Sequence, residues 1–191
     1  MPLQLVTPPA GEPVSLIEAK LHLRVDFDED DTLIASLISA ARQAAETLTG
    51  RQFVNARWKL VLDGFPPCAI ALAKCPVQSV VVINYLDMNS SVQTMPASTY
   101  TVESACEPAR ITPVFGQVWP PSLPQIGAVS VTFDAGYGAA SEVPEGIKSW
   151  IKLRVGSLYT HREEMAVLSR GRIDPLPFVQ GLLDPYRVVL V

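Results

Sequence analysis

Two helices joined by an acidic turn are written into residues 14–50, VSLIEAKLHLRVDFDEDDTLIASLISAARQAAETLTG, and no other stretch so narrows the folds open to this chain. Ser15 and Glu18 stand at the S-x-x-E spacing of a capping box, in which the serine hydroxyl accepts from one free amide and the glutamate reaches back to another. A helix therefore starts near Leu16. Leu16, Ile17, Leu21 and Leu23 give it an apolar stripe, and Lys20 and Arg24 bring positive charge to its negative pole. Five carboxylates follow within six residues, Asp26, Asp28, Glu29, Asp30 and Asp31. Leu33, Ile34, Leu37, Ile38, Ala41, Ala45 and Leu48 then recur at spacings of three and four. That period predicts a second, longer amphipathic helix from about Asp31 to Thr49, a rod of roughly 27 Å. Gly50 is expected as its left-handed terminator.

Asp26, Asp28 and Asp30 share the D-x-D-x-D spacing that opens a calcium loop. Such a loop also needs glycine at its sixth position and a bidentate glutamate at its twelfth, where this chain has Asp31 and Leu37. The carboxylates read better as caps and favourable charges at the start of the second helix. An enzyme would need a nucleophile with its base, a paired acid and base, or a metal cluster. The two histidines, His22 and His161, fall on predicted helices with no ligand-spaced partner. Cys68, Cys75 and Cys106 fit neither a zinc clamp nor a redox pair, and an odd count argues against a disulfide framework. Gly136-Tyr137-Gly138 lacks the surroundings of a phosphate loop and reads as a turn closing a strand. The chain is expected to be no enzyme and to hold no cofactor or metal.

Beyond Gln52 the pattern changes to short apolar or alternating runs punctuated by proline and glycine, the mark of strands joined by tight turns. Seven strands are expected, at 54–62, 69–73, 77–86, 91–95, 100–103, 109–112 and 128–135, enough for a small sandwich or barrel. The unbroken run 80–83 predicts a central strand. Five prolines between Pro108 and Pro124 exclude a regular helix or central strand there, leaving a long ordered loop with Phe115 and Trp119 as its candidate interaction residues. Trp119 fits equally as a plug over the sheet. Pro144 opens a third helix, with Ile147, Trp150, Ile151, Val155, Leu158 and Tyr159 on one flank, expected to pack on the second. The fold class is α+β: a small helical bundle, 1–52 with 142–191, into which an antiparallel β-domain, 53–141, is inserted.

A chain of 191 residues buries roughly 70% of its unfolded surface, so this fold needs neither metal nor disulfide. The start MPLQLVTPPAGEP is not a secretory signal, and no apolar run approaches a membrane span. The net charge of −4 argues against sequence-independent DNA binding by the chain as a whole. The last residues carry Leu182, Leu183, Pro185, Tyr186, Arg187, Val188 and Leu190, a largely apolar tail that frays unless it docks, either on the chain's own helices or on a neighbour.

The stretch SLIEAKLHLRVDFDEDDTLIASLISAARQAAETLTGR, with its L-x-E-x-K-x-H-L-R core, resembles the N-terminal signature of the head-tail connector (adaptor) proteins of long-tailed bacteriophages and gene transfer agents. WKLVLDGFP at 58–66, EPARITPVFGQVWP at 107–120, VTFDAGYG at 131–138, VPEGIK at 143–148 and GLLDPYRV at 181–188 are similar to later parts of that family, in the same order. The resemblance implies a structural virion protein at the head-tail junction, made in the host cytoplasm. About a dozen copies would form a homo-oligomeric ring, a dodecamer, below the portal protein, extend the DNA channel and meet a stopper or tail-completion protein. A tail-completion or stopper protein at the same junction is the alternative. DNA would pass without sequence-specific binding, and no membrane is involved. The resemblance also assigns portal binding to the tail from Leu182 to Leu190, and it suggests that the acidic turn, Asp26, Asp28, Glu29, Asp30 and Asp31, faces the channel lumen or a neighbour.

Overall fold

The computed structural model describes residues 2–161 and 181–188. The described residues form an α+β structure with three α-helices, α1 to α3, and two antiparallel sheets, divided into two compact units. Of the described residues, one unit comprises 11–49, 138–161 and 181–187, and the other 2–10, 50–137 and 188. Among the described residues no helix is long and apolar enough to cross a membrane.

The helical unit begins with α1, Leu16–Leu23, and its start follows from its cap. The Ser15 hydroxyl accepts from the Glu18 amide at 3.2 Å while the Ser15 amide donates to Glu18 Oε2 at 2.8 Å. The hydrogen bonds that the Ser15 amide and hydroxyl donate to Glu18 Oε2 hold this carboxyl below its ordinary value. At the other end Arg24 is left-handed, with φ of 58°, and the Arg24 and Val25 amides donate to the Leu21 and Lys20 carbonyls. That is a Schellman closure with arginine where glycine is usual. Helix α2, Asp31–Thr49, buries Ile34, Ile38, Ala41 and Ala45, one stripe at helical period, and Gly50 follows it at φ 73°. Helix α3, Glu145–Thr160, starts after Pro144, buries Ile147, Trp150, Ile151 and Val155, and packs on α2 and α1.

The expected inward stripe of α1 is corrected by the structure. Only Ala19 of this helix is buried, while Ile17 is 79% and Leu21 80% exposed. An eight-residue helix meets its neighbours along one narrow line, here through Ala19 and the Lys20 stem, with the His22 ring and Leu23 lying against Gly156 of α3. Ile17 and Leu21, four apart, share another face.

The β unit contains the seven expected strands: β2 Ala56–Leu62, β3 Ile70–Leu72, β4 Val77–Leu86, β5 Val92–Thr94, β6 Tyr100–Glu103, β7 Ala109–Pro113 and β8 Val129–Ala135. An eighth, β1 Leu3–Thr7, was not apparent from the sequence: this stretch, grouped there with the helices, pairs antiparallel with β2 and forms the edge of the larger sheet. Strand order is β1-β2-β8-β4-β5 in the larger sheet and β3-β7-β6 in the smaller. Both sheets feed one core, Leu60, Leu62, Ile83, Val129, Val131 and Phe133 from one side and Ile70, Leu72 and Ile111 from the other. Strand β8 alternates strictly, with Val129, Val131, Phe133 and Ala135 inward, as the period of two requires.

The central strand is β8, not the run 80–83, which lies in β4 between β8 and the edge strand β5. The register explains why that run does not alternate. Val80 pairs with Phe133 and Val82 with Thr132, so Val81 is the extra residue of a bulge and is 44% exposed. On the outer face Arg57 and Asp134 stand directly opposite across β2 and β8, with two hydrogen bonds of 2.8 and 2.9 Å. The guanidinium holds the Asp134 carboxyl below its ordinary value.

Candidate assembly surfaces

Three surfaces expected from the sequence are considered, each within its own unit. The acidic turn between α1 and α2 is a wired structure. Lys20 Nζ bridges Asp28 Oδ1 at 2.6 Å and Asp31 Oδ1 at 2.7 Å, and the Tyr159 hydroxyl of α3 donates to Asp30 Oδ2. The lysine hydrogen bond lowers the Asp28 carboxyl from its ordinary value and raises Lys20 in return. Asp31 opens α2, and the Asp30 carbonyl accepts the Ile34 amide at 2.8 Å. Three of the five carboxylates thus hold the turn, with Asp30 and Asp31 only partly exposed, while Asp26 and Glu29 stand in solvent. Among the described residues no three His, Cys, Asp or Glu side chains converge to hold a metal ion. His161 caps α3, its amide donating to the Ser157 carbonyl.

The proline-rich loop after β7 divides its two aromatic residues between two tasks. Trp119 stacks on Phe65 with ring centroids 4.9 Å apart and planes 8° from parallel, and Phe65 meets Tyr85 edge-on. The Trp119 indole N–H also donates to the Cys68 carbonyl at 3.3 Å. It is the plug that fastens the loop to the core. Phe115 sits in a tight turn closed by the Gln117 amide on the Val114 carbonyl, with Gly116 left-handed, and is fully exposed. Val118 beside it is 86% exposed.

The tail is docked on its own chain. Leu183 is 1% exposed, and Asp184–Tyr186 form a 3-10 turn whose Tyr186 ring closes on Gly146 of α3. A side chain at position 146 would meet Tyr186 Oη at 3.1 Å, so glycine is what admits the ring there. Leu182 and Tyr186 are partly exposed, and Pro185 and Arg187 are exposed. Val188 lies beside Gly50 in the β unit. Leu190 lies outside the described residues. Of the seven tail residues expected to reach a partner, Leu183 instead anchors the segment, leaving Pro185 and Arg187 as its most available side chains. The surface the sequence did not reveal is the Ile17 and Leu21 face of α1. A signal was present: eight residues carrying both Leu16, Ala19, Leu23 and Ile17, Leu21 have more apolar faces than one core contact uses.

Residues 13–103 match the profile of the Phage gp6-like head-tail connector protein family, which bears out the resemblance read from the sequence. The match takes in both N-terminal helices and strands β2 to β6. No curated protein matches the chain. Three solved structures share its fold along all of its length: the virion of a native gene transfer agent particle, with a TM-score of 0.84, the neck of the empty particle computed with C6 symmetry, at 0.81, and the neck of the native particle computed with C12 symmetry, at 0.79. Each is 24% identical, and the alignment covers 100% of this chain and 97% of the other.

Proposed function

We propose that this chain, whose residues 13–103 match the head-tail connector family, is itself a structural connector of the head-tail junction. It would form a ring of about a dozen copies beneath the portal protein, extend the DNA channel, and offer a platform to the stopper or tail-completion protein. The observation that carries this reading is the coincidence of the two comparisons: the family match on the first half of the chain, and a shared fold over all of it with neck proteins solved under C6 and C12 symmetry. The role is mechanical, and no step in it calls for a catalytic group.

Two surfaces follow from the reading. A channel that releases DNA works best where its wall does not grip phosphate, and carboxylates repel it; Asp26 and Glu29, the two solvent-facing acids of the turn, suit a lumen position. Exchanging both for lysine leaves the Lys20 bridge intact and is expected to slow DNA ejection from assembled particles. Ejection at the unmodified rate would contradict lumen placement. The tail is the proposed portal contact, through Pro185 and Arg187 with the exposed parts of Leu182, Tyr186 and Val188. Pro185→Asp combined with Arg187→Glu is expected to weaken portal binding at least tenfold with an unchanged melting temperature, because neither side chain is in the core. Binding of unchanged strength would remove the tail from the portal interface.

A further inference from the structure

Among the described residues, the large hydrophobic side chains more than three-quarters exposed lie in two places: Ile17 and Leu21 on α1, and Phe115, Val118 and Ile126 on the loop after β7. The α1 pair belongs to a helix that places only Ala19 in its own core, and its second apolar face stays largely exposed among the described residues. The loop lies within a run, 111–133, that contains no aspartate, glutamate, lysine or arginine. Aromatic and aliphatic side chains on a surface depleted of charge have the make-up of the buried centre of a protein interface, and fastening by Trp119 and Phe65 presents this one from a fixed base.

A closed ring of identical copies cannot be built by pairing a patch with itself, which stops at a dimer; it needs two different patches per copy, each covering the other on the neighbour. This chain carries two such patches of matching chemistry. We propose that α1 of one copy seats Ile17 and Leu21 on the Phe115 and Val118 loop of the next copy, and that this contact, repeated, joins the ring. The inference rests on the connector reading and specifies which surfaces build it.

The test uses the full chain with Cys68→Ser and Cys106→Ser, which removes the two thiols that are not buried. Ile17→Cys and Phe115→Cys are added singly or together, and rings are assembled on the portal encoded in the same genome and mildly oxidised. The double variant is expected to yield a ladder of covalent oligomers, and a mixture of the two single variants covalent dimers, with neither single variant linking alone. Rings that form without a ladder, or Ile17→Cys linking to itself, would overturn the contact while leaving the connector reading in place. Absence of any ring would overturn that reading and the contact with it. In parallel, Leu21→Glu is expected to reduce ring assembly at least tenfold at an unchanged melting temperature, since the side chain is 80% exposed; undiminished assembly would count against the contact.

Discussion

Replacing Arg42 with alanine is expected to lower the stability of the helical unit by about 3 kcal/mol or more. Arg42 lies on the inward side of α2, 8% exposed, with Nε 2.7 Å from Glu12 Oε2 and Nη1 2.9 Å from Glu46 Oε2. Glu46, one turn further along the same helix, is also 8% exposed. Removing the guanidinium takes a cationic partner from two carboxylates at once, Glu12 and the buried Glu46, and the loss of a buried pair greatly exceeds the worth of a surface ion pair, which is typically about 0–1 kcal/mol. The control is a double exchange, Arg42→Leu with Glu46→Leu, which fills the same space with apolar groups, removes both members of the buried pair together and is expected to cost less. Urea unfolding followed by circular dichroism measures both. A single variant that loses less than about 1 kcal/mol would mean that water or the other contacts of Glu46 compensate its charge.

Gly136→Ala is expected to be comparably severe for the β unit, at about 3 kcal/mol, because two costs coincide. The backbone there has φ of 140°, a region disfavoured for any residue with a Cβ. An added Cβ would also lie 2.7 Å from both the Cα and the amide nitrogen of Asn55, backbone atoms that cannot swing away as a side chain does. Nor can the glycine move off freely, since its amide donates to the Pro76 carbonyl at 2.9 Å and its own carbonyl accepts from Gln78 Nε2 at 2.8 Å. Gly116→Ala is the comparison. Its φ of 80° is also left-handed, but nothing lies within 4 Å of the new atom, so only conformational strain of about 1 kcal/mol is expected. Thermal melts of the two variants should separate clearly. Equal losses would show that strain rather than the Asn55 contact dominates at Gly136.

The residues that made the fold legible were those whose local chemistry suffices to place an element. Ser15 with Glu18 starts α1, Gly50 ends α2 and Pro144 opens α3, each through a cap or a fixed dihedral that depends on near neighbours. Strands β2 to β8 were placed by runs of alternating or apolar residues between turn residues. What escaped was set at a distance. Leu3–Thr7 is a strand because β2 lies beside it, and five residues before a proline pair say little of that. The run 80–83 reads as a buried centre until its pairing with β8 reveals Val81 as a bulge. The same holds for the surfaces. The acidic turn was legible as charge, but not that Lys20 and Tyr159 take up three of its carboxylates. The apolar tail was legible as a docking segment, on the chain's own helices or on a neighbour, but not that Leu183 is the residue that takes the buried place. Periodicity shows that α1 is apolar; which side of a short helix faces inward is decided by the two helices it lies on.

Co-sedimentation of the purified chain with the portal ring encoded in the same genome, followed by negative-stain imaging of the bound fraction, tests the connector reading most directly. Saturable binding that adds a coaxial layer beneath the portal is the predicted result. A chain that stays in the supernatant in the presence of a well-formed portal ring would contradict the reading and place it on the tail side of the junction or outside it.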